Sequence, residues 1–191
     1  MDLHEALGRI LSRPPLKDEP MALHTSMKIG GPADFLVYPQ NVEELRQVLL
    51  LAAQNDIPLF VLGNGTNLLV RDGGIRGIVL SLADMCSSYV FFNHSVRAGA
   101  ALSLSQLGWE VANRGLSGLE FTTGIPGSLG GALYMNAGAY GSSISELVRE
   151  VSTIDFHGHY LVRTRRELEF SYRWSTFQEE KVIILECVLE L

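Results

Sequence analysis

Two glycine-rich loops about sixty residues apart, Gly63-Asn64-Gly65-Thr66-Asn67-Leu68-Leu69 and Gly124-Ile125-Pro126-Gly127-Ser128-Leu129-Gly130-Gly131, constrain this 191-residue chain more than any other feature. Glycine turns where other residues cannot and carries no side chain over its N–H, so an anion such as a pyrophosphate can reach the main chain. A pair of such loops points to one long dinucleotide. The common fingerprints are missing, however. The third glycine of G-x-G-x-x-G would fall at position 68, where Leu68 stands, and no Gly-Lys-Ser/Thr follows either loop. Neither the Rossmann turn nor the P-loop is matched.

A hydrophobic content of 47% leaves room for one large domain or two small ones. A formal charge of −6 and a pI near 5.3 argue against nucleic acid or an anionic membrane as the main partner, so any anion site is local. No apolar run approaches the roughly 18 residues of a membrane span. The start, Met1-Asp2-Leu3-His4-Glu5, lacks the basic and apolar segments of a secretory signal, and the expected location is the cytoplasm. Cys86 and Cys187 show no metal or redox spacing and read as buried thiols.

Along the chain, residues 3–11 read as a short amphipathic helix and residues 13–20 as a linker in which three prolines prohibit regular structure, so the folded body is expected to begin at Met21. Residues 34–38 read as a strand and 42–55 as a helix capped by Asn41, with apolar positions 45, 48, 49 and 52 at helical spacing. Residues 58–62 have the pattern of a buried strand and run into the first loop; 77–82 and 89–98 are further strands. A helix over 102–114 stops at Gly115, and the second loop opens into a short helix over 132–137 whose N–H groups point back at the loop. Residues 151–155, 160–164 and 182–191 read as strands. The pattern is α+β in two lobes, 21–84 and 85–191, preceded by the helix and linker of 1–20.

Five blocks of sequence resemble the UDP-N-acetylenolpyruvoylglucosamine reductase family, also called UDP-N-acetylmuramate dehydrogenase or MurB. They are Thr25-Ser26-Met27-Lys28-Ile29-Gly30-Gly31-Pro32-Ala33-Asp34, the loop of residues 63–69, Leu116-Ser117-Gly118-Leu119-Glu120 leading into the second loop, Met135-Asn136-Ala137-Gly138-Ala139-Tyr140-Gly141, and Phe170-Ser171-Tyr172-Arg173-Trp174-Ser175. The resemblance implies the two-lobed FAD-binding fold of the vanillyl-alcohol oxidase and p-cresol oxidase type, with the cofactor sandwiched by the lobes. It implies NADPH-dependent reduction of a UDP-sugar enolpyruvyl ether in peptidoglycan precursor synthesis. Cofactor contacts are implied for Leu62, Gly63, Asn64, Gly65, Thr66, Asn67 and Leu68, and for Thr123, Gly124, Ile125, Pro126, Gly127, Ser128, Gly131 and Ala132. Asn136, Gly138, Ala139 and Tyr140 complete that set, Asn136 and Tyr140 having the alternative of bonding backbone in a buried turn. Relatives in the wider fold attach flavin through His or Cys near the first loop; none lies between Phe60 and Asp84, so the FAD is expected to be noncovalent.

Arg173 matches the family's active-site arginine, with Tyr172 beside it at the substrate. A planar, permanently charged guanidinium suits the carboxylate beside which negative charge develops during hydride addition. The resemblance also implies roughly another hundred residues, the size of one further domain, with most of the UDP-sugar site, a proton-donating serine and an assisting glutamate. No segment after Arg173 matches that region. Two alternatives stay open: a non-catalytic or partner-completed flavin module, and an oxidase of the wider fold. An apolar last strand and an uncovered lobe face further predict exposed hydrophobic surface and self-association. No metal is expected: His157-Gly158-His159 puts two imidazoles together without an acidic or cysteine neighbour and reads as a hairpin turn, and Arg163, Arg165 and Arg166 read as a solvated basic face.

Overall fold

The computed structural model describes residues 2–191; Met1, which opens the N-terminal segment read above, lies outside the described residues. The chain divides into two units, Met1–Met85 together with Phe156–Gly158, and Cys86–Asp155 together with His159–Leu191.

The first unit opens with helix α1 (Leu3–Ile10), whose N-terminus is capped by the Asp2 carboxylate accepting from the His4 N–H. Leu7 and Leu11 are buried, so the folded body starts at this helix and not at Met21. The proline-rich stretch likewise folds: β1 (Leu16–Pro20) pairs antiparallel with β2 (Pro32–Val37). Prolines are tolerated because β1 is an edge strand and Pro20 faces Pro32 at the end of the ladder, while Asp18, at φ 52°, drops out of the pairing. Helix α2 (Val42–Gln54) follows with Asn41 as its cap, then β3 (Leu59–Leu62) and β4 (Ile75–Ser81), giving the order β1-β2-β4-β3 with β2, β4 and β3 parallel. β3 is not the buried strand expected: as an edge it leaves Phe60 and Val61 37% and 38% exposed. Glu44 ties α1 to α2, its carboxylate accepting from Ser12 Oγ (2.6 Å) and the Gln40 N–H (2.9 Å).

The second unit is built on an antiparallel sheet ordered β10-β9-β13-β6-β5. β5 (Tyr89–Phe92) and β6 (Ser95–Gly99) form a hairpin where one strand was expected; Asn93 makes the turn at φ 52°, a conformation asparagine tolerates. Helix α3 (Leu104–Asn113) buries Leu104, Leu107 and Val111, and α4 (Leu129–Tyr134) begins inside the second glycine loop, three residues earlier than expected. Two short hairpins, β7 (Gly138–Ala139) with β8 (Ser142–Ser143) and β11 (Phe170–Ser171) with β12 (Trp174–Ser175), flank β9 (Val148–Asp155) and β10 (Tyr160–Thr164) in sequence. The apolar last strand, β13 (Val182–Glu190), lies between β9 and β6 with Ile183, Cys187, Val188 and Leu189 buried. Its hydrophobicity therefore builds the core and is not exposed, whereas Tyr160, Leu161 and Val162 of β10 in the same sheet are 54%, 49% and 48% exposed. At the β9–β10 turn His159 Nδ1 lies 2.9 Å from Asp155 Oδ2, the acidic neighbour the sequence reading did not place. Among the described residues no three His, Cys, Asp or Glu side chains are grouped to hold a metal ion, and no helix is long and apolar enough to cross a membrane.

Candidate functional site

The first loop is fastened at both ends in the core of its unit. Leu62 before it and Val70 after it belong to a buried cluster with Met21, Ala33, Leu36 and Val79, and Leu68 packs against that cluster. The side chains of Leu62 and Leu68 are thus core contacts, and only their backbone remains for a ligand. Between these anchors Gly63, Asn64 and Asn67 are exposed. Among the described residues, the N–H groups of Asn64, Gly65 and Asn67 form no hydrogen bond to another backbone group. Gly65 is glycine for a reason internal to the protein. Its φ is 62°, and a Cβ there would stand 1.9 Å from the His24 carbonyl oxygen.

Residues 24–29 brace this loop, a contact the sequence reading missed. The Ser26 N–H donates to Gly65 O (3.1 Å) and its hydroxyl reaches Thr66 O (3.5 Å), while Thr25 Oγ1 closes the turn on Ile29 O (2.9 Å). His24 is held in turn by Glu19, its Nε2 at 2.8 Å from Oε1. The signal was present in the Thr25-Ser26 block, though nothing in one sequence says which distant backbone it touches.

In the second unit, the expectation that α4 directs free N–H groups at the loop fails. The Leu129 N–H donates to Leu102 O (2.9 Å), Gly130 to Ala100 O (2.8 Å) and Gly131 to Ser128 Oγ (3.2 Å), so the helix start is satisfied by protein. Thr123 and Ile125 spend their N–H groups on Glu120 and Thr122 carbonyls, and Ala132 bonds within the helix to Ser128 O. What remains are the N–H groups of Gly124, Gly127 and Ser128, which meet no backbone acceptor among the described residues. At Gly124 a Cβ would touch nothing within 4 Å, so its bareness faces outward. Such backbone donors, present in both units and unobstructed by a side chain at Gly124, are what phosphate oxygens of a dinucleotide require. The residues present therefore fit FAD.

Asn136 does not present its amide to a ligand. It is buried at φ 43°, with Nδ2 donating to Ser171 O (2.8 Å) and Oδ1 accepting from the Ser145 N–H (3.4 Å). Its role is to join the end of α4 to the β11–β12 hairpin. Gly138 and Ala139 are half-buried in the β7–β8 ladder, and Tyr140 at its tip is 98% exposed with φ 56°. Tyr172 and Arg173 form the tip of the other hairpin, Tyr172 90% exposed and Arg173 at φ 55°. The Arg173 guanidinium lies 5.6 Å from the Tyr172 ring, and among the described residues no carboxylate pairs with it. Arg165, read as part of a solvated face, instead donates to Ser145 O and Leu168 O (2.9 Å each) and stacks 5.0 Å from Phe170, supporting the same hairpin. The first-loop residues thus belong to one unit, and the second loop, Asn136, Tyr140 and Arg173 to the other.

Comparison with known proteins agrees with this geometry. The model of a family described as FAD binding domain matches residues 33–163. A UDP-N-acetylenolpyruvoylglucosamine reductase of Clostridioides difficile is 44% identical over 191 residues, all of this chain and 63% of that protein. The crystal structure of UDP-N-acetylenolpyruvylglucosamine reductase (MurB) from Thermus caldophilus is 34% identical with a TM-score of 0.79, covering 90% of this chain and 60% of that one. A chitooligosaccharide oxidase at 13% identity and a TM-score of 0.72 covers 97% of this chain and 42% of its own, which shows the shared fold alone. The fold is the α+β FAD-binding fold of the vanillyl-alcohol oxidase and p-cresol oxidase type. FAD is the cofactor that goes with it. The chain spans about 63% of the length of the C. difficile protein. It belongs to the FAD binding domain family and is similar over its whole length to UDP-N-acetylenolpyruvoylglucosamine reductases.

Proposed function

We propose that this chain is the flavin-carrying part of a cytoplasmic reductase that uses NADPH to convert UDP-N-acetylglucosamine enolpyruvate to UDP-N-acetylmuramate, a peptidoglycan precursor. Bound FAD supplies the hydride-transfer chemistry. The residues of the chain hold it without a covalent bond, the first unit through the N–H groups of Asn64, Gly65 and Asn67, the second through those of Gly124, Gly127 and Ser128. Leu62, Gly63, Thr66 and Leu68 shape the first loop; Thr123, Ile125, Pro126, Gly131 and Ala132 shape the second, with Gly138, Ala139 and Tyr140 beside it in sequence.

The observation that carries the reading is Arg173. Reduction of an enolpyruvyl double bond puts negative charge on the carbon next to the carboxylate, and a fixed cation there lowers the barrier. An arginine at an exposed hairpin tip, in left-handed backbone and with no carboxylate partner among the described residues, supports a role in receiving an anion over one in a structural ion pair. Tyr172 lies beside it to contact the same substrate.

Arg173→Ala tests this. Flavin retention should be unchanged, while NADPH oxidation that depends on the enolpyruvyl sugar nucleotide should fall by roughly 10²–10³-fold, the loss seen when one charge-stabilising donor is removed. Loss of flavin on that substitution would move Arg173 out of the substrate role. A second reading is a flavin module without turnover. It predicts no substrate-dependent oxidation in the unsubstituted chain.

A further inference from the structure

We propose that Gln178 is the positioning residue that holds Arg173 in its presenting conformation. The inference rests on the reading of Arg173 as the anion-receiving group.

The β11–β12 hairpin has two residue pairs, Phe170 with Ser175 and Ser171 with Trp174, too few to define its own tip. That tip nevertheless carries an arginine at φ 55°, a left-handed conformation that L residues avoid because Cβ crowds the following carbonyl. A two-residue hairpin turn itself takes positive φ at a central residue, usually Gly or Asn, so an arginine there carries a strain that a contact from outside the hairpin can offset. Asn136 holds one arm at Ser171 O, and Ser175 Oγ ties the other to Tyr134 O (2.7 Å). Neither touches Arg173. Gln178 does: its Nε2 donates to Arg173 O (3.1 Å) and to Tyr134 O (2.8 Å). One amide group thus joins the arginine's own backbone to the last residue of α4.

Gln178 is itself well placed to act as a fixed point. It ends the short 3₁₀ turn Thr176–Gln178. Within that turn Phe177 is buried and packs edge-to-face on Phe170 at 6.3 Å, and Thr176 closes the hairpin base on Glu169 through its N–H and hydroxyl. The guanidinium therefore projects from a backbone referenced to a helix end. Without the Gln178 amide the carbonyl of Arg173 loses its donor, and the hold on the arginine's left-handed backbone is weakened.

The test is NMR of the ligand-free chain, reading the strong intraresidue amide-to-Hα cross-peak that marks positive φ at Arg173. Gln178→Glu keeps the shape and removes the donor, and the expected result is loss of that signature. Gln178→Lys, which restores an N–H donor on a chain of similar reach, should bring it back. Gln178→Met repeats the comparison without charge should the Glu variant not fold. An unaltered Arg173 signature in the Glu or Met variant overturns the proposal, and so does a Lys variant as perturbed as they are. Neither flavin nor substrate is present, so failure of the assigned reaction leaves this result intact. The Arg173→Ala turnover assay tests that reading separately.

Discussion

Gly65 and Gly124 lack a side chain for opposite reasons. At Gly65 the missing Cβ is replaced by the protein's own His24 carbonyl, whereas at Gly124 nothing of the protein occupies that space. Gly65→Ala should therefore destabilise the fold by at least about 1–2 kcal/mol from left-handed backbone alone, with the clash added, and thermal unfolding reads it. Gly124→Ala should leave the unfolding midpoint near that of the unsubstituted chain and weaken FAD by on the order of tenfold, about 1.4 kcal/mol, in a flavin titration. Equal stability losses in both variants would contradict the outward-facing assignment of Gly124. The two thiols make a second prediction. Burial, assisted by the Glu186 charge, pushes Cys86 up to about 11, and burial raises Cys187 as well. Neither should react with a thiol reagent at neutral pH until the chain unfolds, and rapid labelling of the native protein would count against the buried assignment. The glycines and the lone cysteines were legible in the sequence. What fills the space beside each glycine was not, because His24 and Gly65 meet only through the fold, and the same holds for the backbone bonds that claim Asn136.

Elements were read well where periodicity was strong and poorly where a neighbour decided the outcome. The α2 pattern at 45, 48, 49 and 52 survives as its buried face. β1 was missed because proline argues against a strand, and only pairing with β2 along an edge makes it one. β13 was recognised as a strand, yet its central place in the sheet depends on β9 and β6, which no local pattern reveals. The α1–α2 junction is where an element-scale test belongs. Burial works to raise the Glu44 pKa, but hydrogen bonds from Ser12 Oγ, the N–H groups of Gln40 and Ser12, and Asn41 outweigh it and hold the carboxyl below its ordinary 4.5. A depressed carboxyl favours the folded state fully above its unfolded pKa, and that contribution fades as pH falls through the lower folded value. Glu44→Gln should cost about 1–3 kcal/mol at neutral pH, since the amide cannot accept from both Gln40 and Ser12 without presenting N–H to a donor. The deficit should shrink as pH drops below 4.5, which urea unfolding across pH measures. A deficit independent of pH would contradict the charge as its source.

The whole molecule combines two units, each with a glycine loop whose free N–H groups are framed by that unit's own core. The likeness to UDP-N-acetylenolpyruvoylglucosamine reductases was readable from five ordered blocks, because short motifs with fixed backbone roles leave a sequence signature even when the surrounding elements do not. The partition of work within those blocks was less readable: α4 proved to be satisfied by Leu102, Ala100 and Ser128, leaving the N–H groups of Gly124, Gly127 and Ser128 without a backbone acceptor among the described residues. Noncovalent FAD binding is the claim on which the rest depends, and the visible absorption spectrum of the purified chain tests it most directly. The chain is mixed with FAD, freed of excess by gel filtration, then denatured and filtered. The account predicts a flavin band that travels with the native protein and passes into the filtrate on unfolding. A folded protein that emerges colourless, or flavin that stays with the denatured chain, would contradict it.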